Sequence, residues 1–409
     1  MNSWFLLDLS KNYSCIICGP DDYNQRNYFL KDYLFLDILK SNPFSFRYFF
    51  ANIKLFFYNL INIEINIPNL RFLFLVCMVA PLIKKNKVTK IICFIDYYKL
   101  GEFFRLVFKE KVVVVGFQFS VRGFKKNKIK SINFYDHYLM WDEIDTNDNY
   151  LKKKINKIYK FGSLKSYAAL EKFNKWNILN KEFKTPKKII LISTIASNYI
   201  KFYNKHLLNE KNEINKINSL YEQNKKKNIF NRSEIQPLDF FRLSLILRDY
   251  LYKHNKPLEI IMRERDRFSF SYNNELSILK NLFLNKKIKV KFISKNNLNR
   301  LGYALSNKNE IFVTDCSSLG KELLALHCKV LFFSNLSHRF VPFYYDFKSV
   351  FCCNDRKNNF LKNLKKLEKL NFLKFLIELK KTKKTFCSFT PNYERLKSFL
   401  NLTNLRFIY

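Results

Sequence analysis

Asp315, Ser317, Ser318, Gly320 and Glu322 lie close together in the stretch IFVTDCSSLGKELLALHCKVLFFS, residues 311–334. The apolar run into Asp315 predicts a strand, and Ser317 or Ser318 is a natural N-cap for the helix that follows. The first turn of such a helix exposes unpaired N–H groups, which favour an anion such as a diphosphate. Gly320 is one of only seven glycines in the chain and permits the close approach of a ligand or of neighbouring backbone. Glu322, one turn into the helix, can accept two hydroxyl hydrogen bonds, as ribose recognition requires. The same spacing also describes an ordinary helix start in a βαβ unit, with Glu322 one residue late for a capping box on Ser318. The stretch alone leaves both readings open.

A second group is EIIMRERDR, residues 259–267, where a strand delivers Arg263, Arg265 and Arg267 at its carboxyl end. In a chain that prefers lysine, three arginines together stand out, and guanidinium forks suit phosphate oxygens bidentately. Glu264 and Asp266 between them offer the alternative of a surface salt-bridge ladder. For a general base, Asp96 at the end of KIICFID has the position to deprotonate a hydroxyl. His137, next to Asp136, is a second candidate, although a histidine inside a strand is more often simply packed. Asp21 and Asp22 follow Pro20 in a solvated turn. Cys15-Ile16-Ile17-Cys18 is a lone CxxC with no second pair, which reads as a strand with two buried thiols and not as a zinc site. No metal site is expected.

The elements that must hold these groups alternate. Residues 28–62 carry apolar residues at helical spacing on either side of Pro43 and predict two helices. Residues 69–85 predict another. Lys90 to Asp96 is a strand, YKLGEFFRLVFKE a helix, and residues 112–115 (VVVV) a buried strand, with further strands at 137–141 and 157–161. Strand, helix, strand without hairpin signals means a parallel sheet. Residues 172–188, broken at Pro186, read as a linker, and KIILISTIAS then opens a second α/β unit. Residues 205–235, rich in Lys, Asn and Glu, read as a long solvated insertion. Helices at 237–254, 274–284 and 298–306 alternate with strands at 258–262 and 290–293, and Lys/Leu helices that pack back on the body follow from about Phe360. The expected organisation is an N-terminal Rossmann-like domain at 1–175, a second at 188–358 and C-terminal helices at 359–409. The ligand of such a plan sits in the cleft at the carboxyl ends of the strands.

At 409 residues the chain can bury two cores, and its apolar half excludes a wholly disordered protein. The net charge of +39 is carried mainly by dispersed lysines, with neither an arginine stripe nor a nucleic-acid module. Nucleic acid is therefore not the expected partner. An anionic membrane face, phosphorylated substrates or plain solubility account better for the charge. The start of the chain lacks a signal-peptide pattern. FLFLVCMVAPLI, residues 72–83, is too short to span a bilayer and is interrupted by Pro81. Nine cysteines, several inside apolar runs, fit a reducing compartment. The expected location is cytoplasmic, with the option of a peripheral position on the inner membrane face.

The order of these motifs resembles that of bacterial surface-carbohydrate biosynthesis proteins of the GT-B glycosyltransferase type, distantly similar to capsule sugar transferases and CDP-glycerol glycerophosphotransferases. Asp315, Ser317, Ser318, Leu319, Gly320 and Glu322 match the group's C-terminal signature, followed by the strand VLFFS. Gly162 and Ser163 match its Gly-Ser element. Gln118 and Arg122 in GFQFSVRG match more loosely, because Phe119 and Ser120 replace a polar residue and a glycine. The resemblance covers roughly residues 88–335. It implies two Rossmann-like domains with parallel sheets facing a central cleft, and transfer of a sugar from a nucleotide donor to a glycan or lipid-linked acceptor. The donor would meet Arg263, Arg265, Asp315, Ser317, Ser318, Gly320 and Glu322, and the acceptor Gln118, Arg122, Gly162 and Ser163. No bound cofactor or metal is implied. A polyol-phosphate transferase or a UDP-sugar 2-epimerase would use the same scaffold, the epimerase wanting more acidic residues and histidines. A non-catalytic basic binding protein is the remaining alternative.

Overall fold

The computed structural model describes residues 15–19, 33–37, 49–61, 67–85, 87–93, 100–117, 134–140 and 155–160, and scattered positions from 162 to 177. It further describes 181–210, 212–227, 232–263, 270–284, 288–295, 297–334, 348–354 and 357–382. The chain divides into two compact units, Met1–Ala168 with Ser388–Tyr409, and Ala169–Cys387.

The first unit contains β1 (Cys15–Gly19), β2 (Tyr33–Asp37), α1 (Phe49–Leu60), α2 (Ile67–Lys85), β3 (Lys90–Cys93), α3 (Leu100–Phe108), β4 (Val113–Phe117), β5 (Tyr135–Met140) and β6 (Ile155–Lys160). The strands pair in parallel in the order β2-β1-β3-β4-β5-β6. Buried Leu73, Val76 and Val79 of α2 and Phe103 and Phe104 of α3 cover Ile91, Val114 and Tyr138 of the sheet. The CxxC lies in β1, as a strand. One expectation is overturned here. Of the two helices read in 28–62, α1 lies where the second was expected, while Tyr33–Asp37, read within the first, is β2, paired in register with β1. A short apolar run does not by itself separate a buried strand from a buried helix.

The second unit contains β7 (Ile189–Ile192), α4 (Ser197–His206), α5 (Glu213–Lys227), α6 (Arg232–His254), β8 (Leu258–Ile261), α7 (Phe270–Phe283), β9 (Val290–Ile293), α8 (Asn297–Ser306), β10 (Ile311–Thr314), α9 (Ser318–Ala325), β11 (Lys329–Phe333), β12 (Cys352–Cys353), α10 (Lys357–Lys369) and α11 (Phe372–Lys381). The parallel order is β12-β11-β10-β7-β8-β9. Strands β7, β8, β10 and β11 are buried at every position, which explains their mainly apolar runs, with Glu259 in β8 and Lys329 in β11 as buried charges. The order reverses between β7 and β10, and such switch points open a crevice at the carboxyl edge of a sheet.

The solvated insertion expected at 205–235 is instead largely helical. Among its described side chains helix α5 buries only Ile217 and Tyr221, four residues apart. It is tied to α6 by Arg248 to Glu213 at 2.7 Å and by Arg242 stacked over the Tyr221 ring. A two-residue stripe in a lysine- and asparagine-rich segment is too narrow to read as a period.

The second half of the linker segment is fastened to the second unit. The Lys187 and Lys188 N–H groups donate to Glu310 at 2.8 and 3.0 Å. Phe183 meets Phe372 and Phe375 edge-on, with the Lys329 ammonium 4.5 Å and the Lys308 ammonium 5.4 Å from its ring centre. Both lysines are buried, and burial lowers the pKa of each to about 8.

Candidate functional site

The switch point of the second sheet is where β7 and β10 run side by side, with Leu191 opposite Val313. Just past their ends, Thr194 Oγ1 donates to Asp315 Oδ1 at 2.7 Å and Tyr199 OH donates to Asp315 Oδ2 at 3.3 Å. Asp315 is fully buried, and burial raises its pKa while the Thr194 hydrogen bond pulls it back. Burial likewise pushes the Tyr199 phenol and the Cys316 thiol well above their ordinary values. The carboxylate thus receives hydroxyl donors from the β7–α4 loop and from α4 itself, and fixes where that loop ends. With no solvent exposure, Asp315 acts on this edge through Thr194 and Tyr199.

Two helices start at this edge. Ala196 precedes α4 and has no side-chain cap to offer, and Ser317 precedes α9 in extended conformation without a side-chain cap hydrogen bond. Ser317 and Ser318 are half-buried. Gly320 has a packing reason. A Cβ there would stand 2.9 Å from Thr314 Cγ2 and 3.0 Å from Phe332 Cε1, so a bare backbone lets α9 settle onto β10 and β11. Glu322 is 3 % exposed and lies on the buried side of α9, between Lys321 and Leu323.

Arg263 reaches the same edge from the adjacent strand, β8. Its N–H donates to Glu275 Oε1 at 2.8 Å, the Arg300 guanidinium donates to its carbonyl, and its own Nη1 donates to Ile195 O at 3.2 Å. Glu275 and Arg300 are buried, while Arg263 is exposed. Two buried charged side chains, from α7 and α8, therefore hold the main chain of a residue whose guanidinium crosses to the end of β7. Arg263, Asp315, Ser317 and Ser318 thus share one sheet edge. Thr194, Tyr199, Glu275 and Arg300 belong with them and were not singled out in the sequence. A lone acid inside an apolar helix (Glu275 in NNELSIL) was the one local signal available.

The other candidates lie in the first unit. Gly162 has φ 89°, a conformation that favours glycine, and its N–H donates to Met140 O at 3.1 Å. Ser163 and Ser166 follow, both 1 % exposed, and among the described residues neither hydroxyl has a hydrogen-bond partner. His137 sits in mid-strand in β5, opposite Val115 and Lys157, with its ring 5.6 Å from that of Tyr159. Burial lowers its pKa, with Asp136 opposing and Lys157 and Lys90 assisting. Asp136 itself accepts from Arg105, Asn156 and the Val114 N–H. Asp96, Gln118, Arg122, Arg265 and Arg267 lie outside the described residues. Among the described residues no group of His, Cys, Asp and Glu side chains is placed to hold a metal ion, and no helix is long and apolar enough to cross a membrane.

No protein-family profile matches the chain, and no curated protein matches it. Solved structures do. The UDP-GlcNAc 2-epimerase of Neisseria meningitidis bound to UDP-GlcNAc superimposes with a TM-score of 0.52 at 10% identity, over 95% of this chain and 99% of that one. The UDP-GlcNAc 2-epimerase of Methanocaldococcus jannaschii gives 0.51 at 13% identity, again over 95% and 99%. An α,α-trehalose-phosphate synthase (UDP-forming) of Burkholderia vietnamiensis gives 0.44 at 8% identity, over 96% and 98%. At these identities the likeness shows the fold, a GT-B-like pair of parallel α/β units.

Proposed function

We propose that the chain is a nucleotide-sugar enzyme whose second unit holds the donor, and that it transfers the sugar to a cell-surface polysaccharide or lipid-linked glycan. The observation that carries this reading is Arg263, pinned through its main chain and aimed at a switch-point loop beside the amino ends of α4 and α9. A guanidinium and two helix amino ends offset the charge that develops on a departing diphosphate. The serines at α9, both half-buried, would add hydroxyl donors. Asp315 keeps Thr194 and the loop in place. Gly162 and Ser163 of the first unit, with Gln118 and Arg122, would serve the acceptor, and Asp96 would take its proton. A lipid-linked acceptor would bring the protein to the inner membrane face.

A second reading comes from the neighbours. Two UDP-GlcNAc 2-epimerases share the fold, one of them bound to UDP-GlcNAc. Epimerisation needs a base that reaches a carbon-bound proton. In the second unit Asp315 is enclosed, and Tyr199 and Cys316 hold their protons more tightly than usual. The shared fold supports this reading as much as the first.

The test has two stages. UDP should raise the melting temperature, and Arg263→Ala should weaken UDP binding by roughly tenfold or more while leaving uridine binding nearly unchanged. Equal losses for both ligands refute the phosphate contact. Incubation with UDP-GlcNAc and other activated sugars, followed by chromatography and mass spectrometry, then separates the activities. A C2 epimer formed without any acceptor establishes the second reading, and UDP released only in the presence of a glycan acceptor the first.

A further inference from the structure

Helix α1 of the first unit is apolar on both sides. Its inner side is ordinary. Leu55, Phe56 and Leu60 pack on the core, and Asn59 is buried with its amide donating to Leu55 O at 2.8 Å. Its outer side is not ordinary. Lys54, Phe57 and Tyr58 follow at i, i+3 and i+4 along the helix, and Ile61 comes directly after its last residue. There Phe57 is 60 %, Tyr58 69 % and Ile61 88 % exposed, and Lys54 is exposed as well. Phe74 of α2, 40 % exposed, extends the patch through Phe56, whose ring lies 5.9 Å away. A surface helix with this inner face normally carries charged residues outside, and a contiguous apolar patch marks an interaction surface.

We propose that this face docks on an anionic lipid bilayer. With twelve residues, α1 is about 18 Å long, short of the roughly 30 Å of a hydrocarbon core, so it would lie in the interface plane. Charge selects the occupant. Helices α1 and α2 carry Lys54, Arg71, Lys84 and Lys85 and no acidic residue. The chain as a whole is +39, so a second copy would be repelled, whereas anionic headgroups attract. Apolar side chains with lysine beside them, over a negative surface, are the chemistry of an interfacial helix. The inference extends the proposed lipid-linked acceptor, but it is read by lipid binding and needs no turnover.

The experiment is co-sedimentation of the full chain with vesicles of phosphatidylcholine alone or mixed equally with phosphatidylglycerol. The wild type should bind the mixed vesicles. Phe57→Ser/Tyr58→Ser/Ile61→Ser, whose net charge is unchanged, should bind them about tenfold more weakly or worse, while its UDP-induced thermal shift stays that of the wild type. If the triple variant does not fold, Ile61→Ser alone, at the most exposed position, should lose about threefold. Equal binding by wild type and variant would mean that dispersed charge alone drives adhesion, and it overturns the proposal. A wild type that self-associates while the variant is monomeric, with vesicle binding unchanged, overturns it too and assigns the face to a second copy. Should UDP fail to bind while the lipid result holds, the nucleotide reading falls and this one stands.

Discussion

Asp136 in the first unit and Asp315 in the second are both drawn into a parallel α/β framework and have opposite surroundings. Asp136 sits inside β5 and is met by the Arg105 guanidinium, the Asn156 amide at 3.2 Å and the Val114 N–H at 2.8 Å. Arg105 remains a third exposed. Asp315 lies just past β10, has no solvent exposure, and accepts from the hydroxyls of Thr194 and Tyr199. The first carboxylate closes a charge pair across the surface of a sheet. The second, met by hydroxyls in place of a cation, anchors a loop at the carboxyl edge of its sheet. What an acid in such a framework does therefore depends on whether its donors carry charge and on whether they lie inside the sheet or past its end.

The contrast can be tested by deletion. Asp315→Ala leaves the buried Tyr199 hydroxyl and the half-buried Thr194 hydroxyl without their acceptor and should cost about 3 kcal/mol in urea unfolding. Asp136→Ala should cost only about 1 kcal/mol, since Arg105 can turn to water. Equal costs would erase the distinction. Gly320→Ala presses a methyl group onto Thr314 and Phe332 and should destabilise by about 1–2 kcal/mol. A neutral result would mean that α9 is free to lift from the sheet. The smallest effect is in pH dependence. Because burial raises the Asp315 pKa, the folded chain keeps a proton there that the unfolded chain has released. Stability from this group should therefore fall as pH rises above about 4, the ordinary aspartate value. Subtracting the pH profile of Asp315→Asn from that of the wild type isolates the slope, and a flat difference removes the claim.

Much of this framework was readable from pattern. The strands at 90–93, 113–117, 189–192, 258–261 and 311–314 are short apolar runs, and burial on both faces makes such runs visible. Tyr33–Asp37 is equally apolar but follows residues at helical spacing, so its period misleads. Helix α5 is held by Ile217, Tyr221 and an ion pair to a distant helix, none of which a local window detects. At the site, Arg263 and the segment from Asp315 to Glu322 announced themselves by residue type. The reason for Gly320 did not, because its neighbour Phe332 is contributed by the next strand. The clamp of Glu275 and Arg300 on Arg263 was out of reach for the same reason, since it joins residues 12 and 37 positions away.

The aromatic ring of Phe183, with ammonium groups near it and two phenylalanines edge-on, has a consequence for dissecting the molecule. A fragment begun at Lys188, where the strand pattern resumes, would discard that ring and open Lys308, Lys329, Phe372 and Phe375 to water. A version of the second unit intended to fold alone should start upstream of Lys181, whose carbonyl also receives the Lys308 ammonium.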